Sequence, residues 1–235
     1  MKRSVTLLAA TATLVPLLSP ATAHAAPAAT LSVSPKTVVL TAQKSTTLTI
    51  KLKAPGLSDE SWVSFDLHGP QGDYKYGGTA EDPDGDGVFV SSVRFDRYDA
   101  AGKWIVETEL YDYDSGEDYV GPSASFYVKR GTRLTANAGP EPIKKGRTLK
   151  VTGKLTRLNS TYPFKYVGYK GQRVYIYFKR KGTKKWVLKG YATTNKKGVY
   201  LKKFKARHDG YWCARFKGTT LHAPVLSSGD YVDVR

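Results

Sequence analysis

The sequence predicts an all-β fold: two tandem immunoglobulin-like or fibronectin-like β-sandwich domains after a signal peptide. Three observations predict it. Short runs rich in Val, Ile, Thr, Tyr and Phe recur between clusters of Gly, Pro, Asp and Asn, and helical periodicity is almost absent beyond the N-terminal segment. The charge changes sign near residue 130. Residues 26–130 carry 10 Lys and Arg against 16 Asp and Glu, whereas residues 131–235 carry 25 against 4. Each half, at about 100 residues, is long enough to close two sheets on a core of its own.

Lys2 and Arg3 precede an uncharged apolar stretch from Val5 to Leu18, and Ala23-His24-Ala25 before Ala26 is a small-x-small cleavage pattern. This arrangement predicts a secretory signal peptide over residues 1–25. The apolar run is shorter than the ~20 residues that span a bilayer. The expected location is therefore secreted, extracellular or cell-wall associated, with no membrane span. Cys213 is the single cysteine, so neither predicted core relies on an internal disulfide.

In the acidic half, residues 26–130, the predicted strands are Thr30 to Leu40, Thr46 to Lys53, Ser61 to His68, Tyr74 to Gly78, Val88 to Phe95, Lys103 to Tyr111 and Ser123 to Lys129. The basic half, residues 131–235, repeats the plan with Thr132 to Ala136, Thr148 to Thr156, Arg173 to Arg180, Lys185 to Thr193, Val199 to Ala206, Tyr211 to Lys217 and Tyr231 to Val234. Alternation along Arg173 to Arg180 turns Val174, Ile176 and Phe178 to the core. Lys202 shares a face with Tyr200, Phe204 and Ala206, which implies either an edge with a snorkelling stem or a bulge. The connection Arg157 to Lys170 is long and aromatic. It reads either as a functional loop or as Phe164 and Tyr166 closing one end of the sandwich.

The sharpest local motif is Glu81-Asp82-Pro83-Asp84-Gly85-Asp86-Gly87. Carboxylates at alternate positions converge on a hard cation while glycine permits the sharp turn, and the Val88 carbonyl adds an oxygen. The bidentate Glu of an EF-hand is missing, since Val93 stands at the twelfth position. Further calcium ligands would come from a second acidic turn, with Asp112 and Asp114 as the candidates beside Glu117 and Asp118. The alternative is an acidic, solvated hairpin turn.

A second feature is the cationic surface of the basic half, Lys179-Arg180-Lys181, Lys184-Lys185, Lys196-Lys197 and Lys202-Lys203, interleaved with Tyr175, Tyr177, Trp186 and Tyr191. A field of that sign attracts an anionic polymer or an acidic protein, with nucleic acid ranked behind them. A solvated surface that keeps the protein soluble is the competing reading. Cys213 between Trp212 and Ala214 reads as outward-facing by alternation, although free cysteines are usually buried. No H-E-x-x-H, G-x-S-x-G or phosphate-cradling glycine loop occurs, and His208-Asp209 flanks a hairpin turn without an elbow serine. The chain is expected not to be an enzyme.

Four segments carry a resemblance: PEPIKKGRTLKVTGKLTR, KYVGYKGQRVYIYFKRKGTKKW, DGYWCARFKGTT and SSGDYVDVR. Over residues 139–235 they resemble a β-sandwich module of secreted proteins from Streptomyces-type actinobacteria. Members of that family are largely uncharacterised, and some are labelled calcium-binding. The resemblance implies export and the sandwich fold. Cys213 is a departure from the module, which carries Arg after Gly-Tyr-Trp. In the first half, AAGKWIVETELYDYDSG is loosely similar to bacterial immunoglobulin-like domains. The expected function is a secreted binding or adaptor protein, calcium-binding through the first domain and engaging an anionic partner through the second. The alternative is a structural spacer of the cell envelope that self-associates through sandwich edges or Cys213.

Overall fold

The computed structural model describes residues 28–235, and the predicted signal peptide over residues 1–25 lies outside the described residues. Among the described residues the regular structure is extended, apart from one 3-10 turn at Pro70–Gly72. The first half supplies β1 (Thr30–Ser34), β2 (Thr37–Leu40), β3 (Thr46–Lys53), β4 (Trp62–His68), β5 (Tyr74–Glu81), β6 (Val88–Phe95), β7 (Gly102–Asp112), β8 (Glu117–Val120) and β9 (Ala124–Arg130). The second supplies β10 (Thr132–Leu134), β11 (Asn137–Gly139), β12 (Thr148–Leu158), β13 (Tyr166–Gly168), β14 (Arg173–Arg180), β15 (Val187–Thr193), β16 (Val199–Lys205), β17 (Gly210–Phe216), β18 (Val225–Leu226) and β19 (Asp230–Val232).

These strands form four sheets. One is β1-β3-β6; the second is β2-β9-β7-β4-β5, with β8 also on β7. Alternation dictates what lies between them. Along β7, Trp104, Val106, Thr108 and Leu110 are buried while Lys103, Ile105, Glu107 and Glu109 are exposed. Leu48, Ile50 and Leu52 of β3 and Phe89 and Phe95 of β6 meet them from the opposite sheet in one apolar cluster. Edge-on packing of Phe95 against Trp104, with centroids 5.0 Å apart, fixes the centre of this cluster. The predicted strand Thr30 to Leu40 is two strands in different sheets. Pro35 has no N–H to continue a ladder, and the chain crosses there from β1 to β2.

In the second half, β12 is the hub of one sheet, pairing β10, β11, β13 and β16. The other runs β15-β14-β17-β18, with β19 also on β17. Leu149, Val151 and Leu155 face Val174, Ile176, Trp212, Ala214 and Phe216 across a second apolar cluster. Phe178 packs against that cluster, on the face predicted for it. Lys202 is on an edge strand and snorkels, its Nζ donating to the Tyr191 carbonyl at 3.1 Å. The register shift lies on the neighbouring pair instead, between Ile176 and Tyr177, opposite Gly190 at φ +140°.

The two clusters meet at a junction. Leu158 points to the opposite face of β12 from Leu149, Val151 and Leu155 and is buried in the first cluster. Phe164 and Tyr166 also pack against the first cluster, so the aromatic connection joins the halves through the first core. Gly131, where the charge changes sign, is buried; its N–H donates to the Leu40 carbonyl and its carbonyl accepts the Leu158 N–H, each at 2.9 Å.

Candidate functional site

The acidic turn links β5 to β6. Asp82 is buried, and its two carboxylate oxygens accept the backbone N–H groups of Asp86 at 3.2 Å and Gly87 at 2.6 Å. The Gly85 N–H closes the turn onto the Asp82 carbonyl at 3.2 Å, and Gly85 and Gly87 adopt φ of +67° and +74°, the left-handed region that favours glycine. Among the described residues, Asp82, Asp84 and Asp86 form a group whose carboxylate oxygens lie within 4.8 Å of one another. Asp84 and Asp86 are exposed. The Ala54 N–H donates to Gly87, the residue before the Lys53–Val88 pair. That register points the Val88 carbonyl away from β3, toward the free edge.

Asp112 and Asp114 lie outside this group. Asp112 ends β7, and its carboxylate accepts from Ser61 Oγ at 3.4 Å, Asp114 N–H at 3.3 Å and Ser115 Oγ at 2.8 Å. It holds its own hairpin turn. Strand β4 pairs with β5 on one side and β7 on the other, so Glu81 and Tyr111, from which the two acidic turns leave, stand roughly 9 to 10 Å apart at the backbone, two strand spacings. Asp114 is exposed on the second turn.

The outward face of the sheet β15-β14-β17 carries part of the predicted cationic surface, whereas Lys202 and Lys203 are on β16 in the other sheet and Lys196 and Lys197 are in the β15–β16 turn. Tyr175 lies between Tyr191 and Arg215, Tyr177 pairs with Cys213, and Lys179 with Tyr211, which in turn pairs with Tyr231. Cations stand over these rings. Arg173 lies 4.3 Å from the Tyr191 ring centre, Lys217 4.4 Å from Tyr175, and Lys179 4.9 Å from Tyr211 and 5.2 Å from Trp186. Ring quadrupoles stabilise each cation between its like-charged neighbours. Among the described residues only three ion pairs form, His68–Glu107, Lys75–Asp99 and Arg235–Asp233, so Arg235 alone of the basic half's cations is paired with a carboxylate.

Cys213 is buried, 4% exposed, beneath this face, and burial pushes its thiol up to about 11. Alternation puts the residue on the outward side, yet it is buried there, opposite Tyr177. A thiol so covered and so weakly acidic is a poor partner for intermolecular exchange.

A polar junction lies between the two cores, at residues that no sequence motif marks. Arg130 is buried, and its guanidinium donates to the carbonyls of Arg97, Asn159 and Asp99 at 3.3–3.4 Å. Burial, then Arg157, lowers its pKa. His222 is 8% exposed; its Nδ1 contacts Tyr169 Oη at 3.1 Å and Thr219 Oγ1 at 3.3 Å, and its Nε2 has no partner. Burial, with Arg157 and Arg130 nearby, pulls its pKa down to about 4. No local sequence signal marks this cluster, because its members come from positions far apart in the chain. His68 of β4 pairs with Glu107 of β7 at 3.4 Å, both side chains exposed, and His208 is exposed. None of the three described histidines is bonded to both a hydroxyl and a carboxylate.

No protein-family model matches the chain, and no curated protein matches it. Among solved structures it is similar to a tetra-tandem repeat in the extending region of a large adhesion protein, at 16% identity and TM-score 0.36, over 88% of this chain and 48% of that one. It is also similar to Escherichia coli alpha-2-macroglobulin. The trypsin-activated form aligns at 11% identity and TM-score 0.31, over 87% of this chain and 15% of that one. The native conformation aligns at 12% identity and TM-score 0.36, over 87% and 14%. The chain thus spans about half the length of the adhesion-protein structure and a small part of the macroglobulins.

Proposed function

We propose that the chain is a secreted or cell-wall-associated, non-enzymatic binding or adaptor protein. It comprises two immunoglobulin-like sandwiches, residues 26–130 and 131–235. The first holds calcium at its acidic turn, and the second engages an anionic wall polymer or an acidic protein. The single observation that carries the reading is uncompensated charge: 25 Lys and Arg in the second half, of which only Arg235 is ion-paired among the described residues. Three of that half's four carboxylates are held locally. Asp209 accepts the Val234 N–H, Asp230 the Ala138 N–H, and Asp233 pairs with Arg235. The outward potential is therefore left for a partner of opposite sign. Aromatic rings set among the cations add flat apolar area against which sugar rings or side chains pack.

The calcium reading rests on donor chemistry. Asp82, Asp84 and Asp86 supply hard oxygens, and the Val88 carbonyl, turned away from β3, would add another. Calcium takes ~6 to 8 oxygens, so water completes the shell and affinity falls in the weak range of extracellular modules, about 10⁻⁴ to 10⁻³ M.

The partner reading is tested by co-sedimentation of the purified chain with cell-wall preparations, before and after chemical removal of their anionic polymers. Binding is expected to require those polymers and to weaken steeply with salt. The double variant Arg173→Glu, Arg215→Glu, both exposed, is expected to weaken it about ten-fold or more. Binding that ignores salt, polymer removal and charge reversal would overturn the proposal.

A further inference from the structure

The second core is open between its two sheets. A cavity of about 310 Å³ enters there, at the low end of the ~300 to 1,000 Å³ of small-molecule sites. Its floor is aromatic: the Trp212 ring lies 4.9 Å from Phe178 and 4.7 Å from Phe204, and Trp212 is only 6% exposed. Leu149, Ala206 and Val232 complete an apolar lining. Its rim is cationic, with Lys189, Lys205 and Arg207 beside His208, and no carboxylate lines it.

A second cleft of about 460 Å³ adjoins it, sharing Arg207, His208 and Val234 as a common wall. Lys145, Arg180 and Lys181 line this cleft. Asp209 is the one carboxylate side chain in its lining, against Lys145, Arg180, Lys181, Arg207 and Arg235, and it accepts the Val234 N–H at 2.9 Å; Asp233 nearby pairs with Arg235 at 2.9 Å. An apolar hole and a cationic cleft therefore open side by side, with Arg207 between them.

We propose that these adjoining cavities form one site for a single-tailed amphipathic anion. The tail lies on Trp212 between Phe178 and Phe204, and a carboxylate or phosphate head is held by Arg207 with the lysines of the rim. Burying the tail removes apolar surface from water, and Arg207 offers the head a planar, fork-shaped set of donors. A cationic head meets uncompensated like charge, and a neutral one forgoes the charge-assisted bonds. The tail pocket is separate from the outward face described above, since Trp212 points inward whereas Tyr211 and Arg215 point outward; the head cleft borders that face through Arg180 and Lys181.

Calorimetric titration of the purified chain with dodecanoate, dodecyl phosphate, dodecanol and dodecyltrimethylammonium, all below their micelle concentrations, tests the proposal. One molecule of dodecanoate or dodecyl phosphate is expected to bind, about ten-fold or more tightly than either control, and the tighter anion identifies the head. The variant Lys205→Glu, Arg207→Glu changes exposed residues only and is expected to weaken anion binding about ten-fold with an unchanged melting temperature. A bromine-terminated dodecanoate is expected to quench tryptophan emission in the parent chain, with that quenching largely lost in Trp212→Phe. Absent saturable binding, equal affinity for dodecanol, indifference to charge reversal, or quenching that survives in Trp212→Phe would each overturn the proposal.

Discussion

His222 and Arg130 place two nitrogen bases where water has been removed, and the two respond differently. Arg130 keeps its charge because three carbonyls replace its hydration, an arrangement a guanidinium satisfies with its fan of donors. His222 has no acceptor for its Nε2 and has Arg130 and Arg157 nearby, so the neutral ring is favoured and its pKa falls to about 4. In the unfolded chain the ring titrates near the ordinary ~6.5. Between those values the unfolded state binds more protons. The stabilisation is complete above pH ~6.5 and is lost progressively as pH falls to about 4, amounting to about 2 to 3 kcal/mol. Denaturant melts at pH 7.5, 5.5 and 4.5 are expected to show this loss, and His222→Asn is expected to flatten it. An equally steep fall in the variant would assign the effect to the carboxylates instead.

At the scale of one element, the β5–β6 turn separates two roles that its sequence merges. Asp82 is a structural staple whose removal leaves two backbone N–H groups without their acceptor, with or without a cation; loss of such bonds costs about 1 to 3 kcal/mol. Asp84 and Asp86 hold no such bonds and are exposed. In calcium-free buffer, Asp82→Ala is expected to lower the melting temperature while Asp84→Ala, Asp86→Ala leaves it nearly unchanged. With millimolar calcium the parent is expected to gain stability and the double variant to gain none. A parent unmoved by calcium would leave the turn purely structural. The alternating carboxylates were legible in the sequence; the burial of Asp82 was not, since it depends on where the strands dock. The same contrast holds elsewhere. Strand β7 was legible because Trp104, Val106 and Leu110 share one parity while Lys103, Glu107 and Glu109 share the other, whereas β8, β13 and β18 are too short to carry a period. The β1–β2 crossing was missed because β-rich residues continue on both sides of Pro35.

At the scale of the whole molecule, the change of charge at residue 130 marks a seam between cores rather than an open linker. Gly131 is buried, and the chain on both sides of it is tied down. The Arg130 N–H donates to the Leu221 carbonyl and the Arg130 carbonyl accepts from Ala223, while Thr132 Oγ1 donates to the Ala223 carbonyl. Leu158 crosses the seam to fill the first core, and Phe164 stacks edge-on against Tyr98 with centroids 4.9 Å apart. Stability of the acidic half therefore depends on side chains of the basic half. Leu158→Ala leaves a hole at a fully buried site and is expected to cost about 2 to 5 kcal/mol, felt by the acidic half although the residue belongs to the basic one. Hydrogen exchange read along the chain localises that cost. Protection is expected to fall in β7 and β9, whose residues share the cluster with Leu158, as well as in β12. If the loss were confined to residues 131–235, the halves would be energetically independent and the seam no more than a point of contact.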